Sequence, residues 1–229
     1  MIDIHAHVLP FVDDGSKSLE QSLAMLVVAQ NQGVTDMVLT PHLRKEYDAL
    51  PKTIKEVFCE LKKTVLDAGI FVNLHYGQEV FITNRYKEDI ASGKILTIND
   101  GKHILIEFDY EEDFDIAETV YELSVLGYIP IVAHFERYLY ADLSVAQEIK
   151  SLGGYIQVNA DSFFGKGRRK YYGKIKKLIN EGLVDFVASD VHAFRENYLG
   201  RARVLITKKF GQKIADALFI ENARKILNG

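Results

Sequence analysis

The chain has 229 residues, a length that supports one hydrophobic core, and we expect a single domain over residues 1–229. Hydrophobic residues make up 48% of the sequence and charged residues 26%, which excludes disordered, collagen-like and low-complexity classes. The formal net charge of -4 gives no general attraction to phosphate backbones or anionic membranes, so we expect no nucleic-acid partner.

The sequence predicts neither membrane insertion nor a disulfide. The apolar run closest to a membrane span, Leu23 to Val28, is far shorter than the ~20 residues that a bilayer requires. The first residues lack the basic and apolar segments of a secretion signal. The single cysteine, Cys59, cannot form an internal disulfide and rules out a multi-cysteine metal site. We therefore expect a cytoplasmic protein, and we assign Cys59 no catalytic role.

Short apolar strands alternate with helices along the sequence. The predicted strands are residues 1–5, 36–40, 72–80, 102–108, 129–134, 155–159 and 184–190. The predicted helices are residues 18–33, 51–69, 113–127, 142–152, 170–181, 196–210 and 212–227. This alternation is typical of a parallel sheet covered by helices. We predict an α/β fold, with a seven-stranded barrel related to the (β/α)8 barrel as the first choice and an open doubly wound sheet as the alternative.

Two of the predicted helices have clear apolar faces. The first begins at Ser18, where Gln21 completes a capping-box pattern. Its predicted buried residues are Leu19, Leu23, Leu26 and Val27. The second begins near Pro51, and its predicted buried residues are Ile54, Phe58, Leu61 and Val65.

Histidines and carboxylates follow the predicted strands, at the point where each strand ends. They are His5, His7, His42, Glu79, Glu107, His134, Asp190 and His192. In a closed parallel barrel these strand ends open onto one face, so side chains distant in sequence converge there. His5 and His7 lie two apart on a strand, so both side chains point to the same side, roughly 6.6 Å apart along the chain. Such a set without thiolates suits Mn, Fe, Zn or Co.

Several nearby polar residues have alternative interpretations. Asp13-Asp14-Gly15 is also a turn signal. His75 and His103 share strand faces with Glu79 and Glu107 but lie deeper, which favours a role in the core or behind the ligands. We expect Asp3 to orient the His5 ring.

Other enzyme motifs fit less well. The sequence has no Gly-x-Ser-x-Gly elbow and no Gly-x-x-x-x-Gly-Lys-Ser/Thr loop. The basic segment from Lys166 to Lys177 is typical of a solvated helix start, with docking of an anionic or peptide substrate as the alternative.

The sequence resembles the PHP phosphoesterases, and within them the bacterial protein-tyrosine phosphatases of capsule and exopolysaccharide operons. The matching motifs are Met1-Ile-Asp-Ile-His-Ala-His, Asp13-Asp14-Gly15, Thr40-Pro-His42, Gly77-Gln-Glu79, Ile106-Glu107-Phe108, Ala133-His134-Phe-Glu-Arg137 and Ala188-Ser-Asp190-Val-His192. The resemblance implies a distorted (β/α)7 barrel with three divalent ions, usually Mn, with Fe, Zn, Co and Mg as alternatives. It implies as substrate the tyrosine-rich tail of an autophosphorylating bacterial tyrosine kinase.

The resemblance also implies roles for individual residues. The first ion would be held by His5, His7, Glu79 and Asp190, the second by Glu79, Glu107 and His134, and the third by Asp14, His42 and His192. Arg137 would hold the substrate phosphate. A further family arginine corresponds either to Arg195 or to Arg201, and the spacing does not decide between them.

The expected reaction is attack of an activated water on phosphorus, with the phenol of tyrosine leaving. Its pKa of ~10 makes a dedicated leaving-group acid less critical than for an alkyl alcohol. The alternatives are a small-molecule phosphatase acting on histidinol phosphate, a PHP or TatD-like nuclease, and an inactive module that binds a kinase tail.

Overall fold

Parallel strands form the centre of the computed structural model, which describes residues 1–228. The strands are β1 (Ile2–Ala6), β2 (Asp36–Leu39), β3 (His42–Leu43), β4 (Asn73–Tyr76), β5 (Glu79–Phe81), β6 (His103–Glu107), β7 (Ile129–Val132), β8 (Tyr155–Asn159) and β9 (Phe186–Ala188). Within this range they are ordered β1-β2-β4 in one sheet and β3-β5-β6-β7-β8-β9 in the other. All these pairings are parallel, which confirms the predicted α/β class.

The two sheets meet at Pro41 and at Gly77-Gln78. The second predicted strand, 36–40, is confirmed to within one residue as β2, and β3 follows it after Pro41, which has no N–H group to offer the ladder. Predicting 72–80 as one continuous strand was wrong, because its pairing changes from β2 to β3 at Gly77-Gln78, which divides it into β4 and β5. The N–H groups of Gly77 and Glu79 donate to the carbonyls of Leu39 and Pro41, both at 3.0 Å. These two hydrogen bonds connect the first sheet to the second.

The sheet curls until its last strand lies beside its first. Ala6 forms a parallel bridge with Val191. The Asp190 N–H donates to the His5 carbonyl at 2.9 Å, and the His7 N–H donates to the Val191 carbonyl at 3.0 Å. The carboxyl ends of β1 and β9 are therefore adjacent, which brings residues almost two hundred positions apart into one space.

Helices connect the strands and cover the outside of the curled sheet. They are α1 (Leu19–Asn31), α2 (Pro51–Asp67), α3 (Tyr86–Ala91), α4 (Ile116–Val125), α5 (Leu143–Ser151), α6 (Gly165–Asn180), α7 (Leu199–Phe210), α8 (Gln212–Asp216) and α9 (Asn222–Asn228). Helix α3 was not predicted, and the predicted C-terminal helix is interrupted by a π-helical turn over Ala217–Glu221.

Helix α6 begins at Gly165, earlier than predicted, so the basic segment lies within the helix. Glycine disfavours helices, which is why the sequence alone suggests a later start. Here Gly167 packs against Ser162, where a Cβ atom would lie 3.1 Å from the Ser162 Cα. Tertiary contact therefore outweighs the propensity of the glycines.

The predicted apolar face of α2 is confirmed: Ile54, Phe58, Leu61 and Val65 are all buried. On α1, Leu26 is buried as predicted, but Val27 is 40% exposed. Ser22 is buried instead, because its hydroxyl donates to the Val8 carbonyl at 2.7 Å.

Within residues 1–228, no helix combines the length and the apolar character needed to cross a bilayer.

Candidate metal centre

Nine predicted side chains lie at or just beyond the carboxyl ends of the strands, and we call them the polar cluster. Four lie on β1, β3, β5 and β6, the others follow β1, β7 and β9, and Asp14 is in the loop after β1. All are buried except the Asp14 side chain, which is 34% exposed. The members are His5, His7, Asp14, His42, Glu79, Glu107, His134, Asp190 and His192.

The first group in the cluster joins β1 to the segment after β9. His5 Nε2 lies 3.1 Å from His7 Nε2, and Asp190 Oδ1 lies 3.6 and 3.5 Å from these two nitrogens. Glu79 Oε2 lies 3.1 and 3.2 Å from the same nitrogens. His5, His7 and Asp190 thus form one candidate ion group, and Glu79 Oε2 lies beside its two nitrogens.

The second group centres on the carboxylates of Glu79 and Glu107. His42 Nδ1 lies 3.0 Å from Glu79 Oε2 and 3.2 Å from Glu107 Oε1. His134 Nε2 lies 2.8 Å from Glu79 Oε1 and 3.7 Å from Glu107 Oε2. Glu79 Oε2 therefore faces both the first and the second group, and Glu79 Oε1 faces His134 of the second.

The third group gathers His7, Asp14, His42 and His192. Asp14 Oδ1 lies 3.5 Å from His42 Nε2 and 3.3 Å from His192 Nε2. His42 thus faces two groups, one with each ring nitrogen, a double position that the sequence does not indicate.

The donor atoms of these groups fit divalent cations. Within the described residues, Asp14 Oδ1, His42 Nδ1, Glu79 Oε2 and Glu107 Oε1 are buried without a hydrogen-bond partner. Buried polar atoms left unpaired are costly, and here they point at one another. Imidazole nitrogens and carboxylate oxygens are ligands of borderline divalent ions. The cluster has the chemistry of a metal centre.

The Asp13-Asp14-Gly15 turn gives its two aspartates different tasks. Asp13 Oδ2 accepts from His7 Nδ1 at 2.7 Å, while Asp13 Oδ1 accepts from the Gly15 N–H at 2.9 Å. Gly15 lies directly on His7, where a Cβ atom would be 2.2 Å from the His7 carbonyl oxygen. Asp13 therefore orients a histidine, and Asp14 is the one that faces the cluster.

Behind the cluster, Gln157 and Asn159 on β8 fix the orientation of three members. Gln157 Oε1 accepts from the His134 backbone N–H at 2.9 Å and lies 3.1 Å from His5 Nδ1. Gln157 Nε2 donates to Asn159 Oδ1 at 2.7 Å, and Asn159 Nδ2 donates to Asp190 Oδ2 at 2.6 Å. Because the Gln157 oxygen is an acceptor, His5 carries its proton on Nδ1 and presents Nε2 to the cluster.

Three expectations about neighbouring residues were wrong. Asp3 does not hold the His5 ring, because its Oδ1 accepts from the backbone N–H of Ser189 at 3.0 Å. His75 bonds to Asn99 at the opposite end of the strands. His103 is half-buried beside Tyr155, also far from the strand ends that carry the cluster.

Two of the three candidate arginines reach the cluster. Arg137 Nη1 and Arg195 Nη1 each lie 3.4 Å from Asp190 Oδ2. Arg201 lies on α7 and pairs with Glu196 at 3.1 Å. The geometry therefore favours Arg195 over Arg201 beside the candidate ligands.

Sequence reasoning missed Arg44 and Tyr47, which lie on a tight turn after β3. Their backbones exchange two hydrogen bonds of 2.9 Å. Arg44 Nη2 lies 3.6 Å from Glu107 Oε1, and the Tyr47 ring stacks over His42 at 6.1 Å. Only the short distance to His42 along the chain could have pointed to them.

Facing imidazoles change the pKa values of the buried carboxyls. Burial alone would raise the pKa of Glu79 and of Asp190. The neighbouring His5 ring and other cations outweigh burial, and both pKa values lie well below their usual range. Both groups are therefore carboxylates at neutral pH.

The carboxylates in turn raise the pKa values of three histidines. Burial opposes a charge on each ring. Glu79 outweighs burial at His5 and raises the pKa of His42 to about 9, and Asp13 raises the pKa of His7 well above its usual value. In the metal-free protein these imidazoles balance the carboxylates by holding protons.

A family model for capsular polysaccharide synthesis proteins, CpsB/CapC, matches residues 1–228. The chain belongs to this family.

Two relatives that align over nearly the whole chain carry an enzyme name. The tyrosine-protein phosphatase CpsB of Streptococcus pneumoniae is 34% identical over 238 residues, covering 99% of this chain and 98% of the relative. The tyrosine-protein phosphatase YwqE of Bacillus subtilis is 32% identical over 233 residues, covering 99% and 91%.

Solved structures extend the likeness of this CpsB/CapC chain. One from a crystallographic study of Bacillus subtilis YwqE and Streptococcus pneumoniae CpsB, described there as metal-dependent tyrosine phosphatases, has a TM-score of 0.89 at 32% identity. It covers 100% of this chain and 94% of that chain. Histidinol phosphate phosphatase from Lactococcus lactis has a TM-score of 0.57 at 14% identity, covering 93% and 95%, and shares the fold.

Replacing Gln157 by Leu should weaken divalent metal binding about 10-fold to 100-fold, because His5 loses the acceptor that fixes its proton on Nδ1. Gln157→Glu keeps an acceptor oxygen for His5 but loses the donor to Asn159 Oδ1, so it should weaken metal binding less than Gln157→Leu does. Calorimetric titration with Mn²⁺ measures the metal affinity of each variant whose circular dichroism spectrum is native. A folded Leu variant with wild-type affinity would contradict the assigned role.

Metal binding at pH 7 should release protons, because His5, His7 and His42 carry raised pKa values and must be neutral to coordinate. His192 adds no proton, since burial and the nearby His7 lower its pKa to about 4. Apparent affinity should therefore rise with pH up to about 9. Calorimetric titrations of Mn²⁺ in PIPES and in Tris should give different heats, and equal heats would refute proton release.

Proposed function

We propose that this protein is a metal-dependent protein-tyrosine phosphatase that hydrolyses phosphotyrosine in a protein substrate. The observation that carries the proposal is the polar cluster with two guanidinium groups, Arg137 and Arg195, beside its Asp190 carboxylate. Its full-length relatives CpsB and YwqE carry the name of this activity.

The proposed cofactors are three divalent ions, with Mn as the first choice. The residues proposed to hold them are His5, His7, Glu79 and Asp190, then Glu79, Glu107 and His134, then Asp14, His42 and His192. The unpaired donor atoms of the cluster support this assignment. When bound, the ions supply a Lewis acid for the phosphate and lower the pKa of water.

Arg137 and Arg195 are proposed to bind the phosphate oxygens. Each guanidinium has five N–H donors in a planar fork, so contact with one Asp190 oxygen leaves further donors for an anion. The Arg137 side chain is 18% exposed and the Arg195 side chain is 37% exposed, which puts both at the boundary between cluster and solvent. Arg44, beside Glu107, is proposed to contribute a third guanidinium.

Aromatic rings around the cluster favour a phenyl ester. Tyr47 stacks over His42, and Tyr110 stacks on Tyr138 with ring centroids 5.7 Å apart. The Phe194 ring lies 5.8 Å from that of His192 and is 72% exposed. Offset stacking of a tyrosyl ring on such surfaces contributes about 0.5 to 1.5 kcal/mol, which an alkyl phosphate does not gain.

The leaving group explains why the chain can act without a dedicated acid. A tyrosyl phenol has a pKa of ~10 and departs more readily than the alcohol of serine or histidinol. The proposed protein substrate is the phosphotyrosyl tail of a bacterial tyrosine kinase that controls capsule or exopolysaccharide synthesis. The family of capsular polysaccharide synthesis proteins to which the chain belongs supports that choice.

The curled sheet supports a distorted (β/α)7 barrel of the PHP type as the finer fold assignment. If the broken pairs β2 with β3 and β4 with β5 each count as one strand, the order runs once around and returns to β1 through the Ala6 bridge.

The test is the ratio of kcat/KM for phosphotyrosyl and phosphoseryl versions of one peptide, with histidinol phosphate alongside. We expect the aryl ester to be preferred by orders of magnitude, since leaving-group acidity lowers its barrier. Chelation should abolish turnover, and added Mn²⁺ should restore it. Cys59→Ser should keep full activity, because that exposed thiol lies on α2, outside the cluster. A ratio near one, or a preference for histidinol phosphate, would reject the tyrosine phosphatase and favour the small-molecule enzyme.

A further inference from the structure

An apolar groove of about 990 Å³ runs between α1 and α7, next to the polar cluster. One wall consists of Met25 and Val28 on α1, and the other of Val204 and Leu205 on α7. Val28 is 46% exposed and Val204 is 72% exposed, so the groove is open along its length. The lining is mainly apolar, and exposed apolar side chains gathered in one groove are typical of a binding surface.

The groove and the cluster share a wall that is one chain thick. In the segment after β9, Asp190 and His192 face the cluster, whereas Val191 and Ala193 line the groove. Arg195 belongs to both, because it borders the groove and places Nη1 3.4 Å from Asp190 Oδ2. A chain that delivers a phosphotyrosine to the cluster therefore lies beside the mouth of the groove.

The rim of the groove is positively charged. Arg195, Arg201 and Lys208 line it, and Glu196 is the one carboxylate in the described lining. Glu196 pairs with Arg201 at 3.1 Å. The rim thus keeps an excess of positive charge over an apolar floor, which complements an apolar segment with acidic neighbours.

We propose that this groove binds the residues that flank phosphotyrosine in the protein substrate, and that it selects an apolar side chain accompanied by acidic ones. The inference rests on the proposed phosphatase function. An extended peptide rises ~3.3 Å per residue, and Arg195 borders both the cluster and the groove, so residues a few positions from the phosphotyrosine reach the groove. A second copy of the chain would instead cover Arg195 and obstruct the cluster, which argues for a peptide.

The first test changes the floor of the groove. The probe is a phosphotyrosyl peptide with leucine and glutamate on both sides, and free phosphotyrosine is the reference. Val204→Asp should lower the ratio of their kcat/KM values about tenfold, through KM of the peptide, because a buried leucine contact is lost. Val125→Asp is the matched control, since Val125 is a 68% exposed helical valine on α4, and its ratio should equal that of the wild type.

The second test changes the charge of the rim. Lys208→Glu should weaken binding of the acidic peptide severalfold. Lys209→Glu makes the same charge change one residue further along α7, outside the groove lining, and should have a smaller effect. Equal effects of the two variants would indicate general electrostatics and would overturn a specific groove contact.

Direct binding separates this proposal from the phosphatase activity. A fluorescein-labelled peptide with a difluoromethylphosphonate in place of phosphate reports its affinity by anisotropy, whether or not the protein turns over phosphotyrosine. Weaker binding by Val204→Asp than by Val125→Asp supports the groove even if turnover fails. Equal binding by both variants overturns it, and so does a Val204→Asp variant that only loses self-association in sedimentation experiments.

Discussion

Four carboxylates and five imidazoles share one space at the ends of the strands, almost all of them buried, and their charges must balance. Without metal, protons on His5, His7 and His42 provide the positive charge that holds Glu79 and Asp190 ionised. Divalent ions would provide it instead when they replace those protons. The same charged groups that stabilise one another through protons are therefore prepared to bind metal.

The backbone adopts unusual conformations to bring these side chains together. His134 and Asp190 have positive φ angles of 34° and 49°. Such angles in residues other than glycine cost of order 1 to 3 kcal/mol and persist only where the surroundings enforce them. Gln157 and Asn159 enforce them here, since they bond to the His134 backbone and to the Asp190 carboxylate. The buried polar side chains of β8 thus offset strain at two proposed ligands.

The sequence predicts the residues at the strand ends well, because histidines and carboxylates interrupt the apolar runs there. Parallel strands then bring these ends to one face. It predicts the supporting residues poorly, since Gln157 and Asn159 resemble ordinary strand residues until their partners are known. His75 failed for a related reason: a shared strand face does not say at which end of the sheet a side chain bonds. Asp3 failed because its carboxylate bonds the Ser189 backbone N–H and not a ring nitrogen of His5. Arg44 was missed because a tight turn, not a repeating pattern, places it at Glu107.

Anomalous diffraction from crystals grown with Mn²⁺, recorded above and below the manganese absorption edge, tests the central claim most directly. The account predicts three anomalous peaks within bonding distance of the polar cluster, with Glu79 between two of them. No peak at the cluster, or peaks only at other sites on the protein, would contradict it.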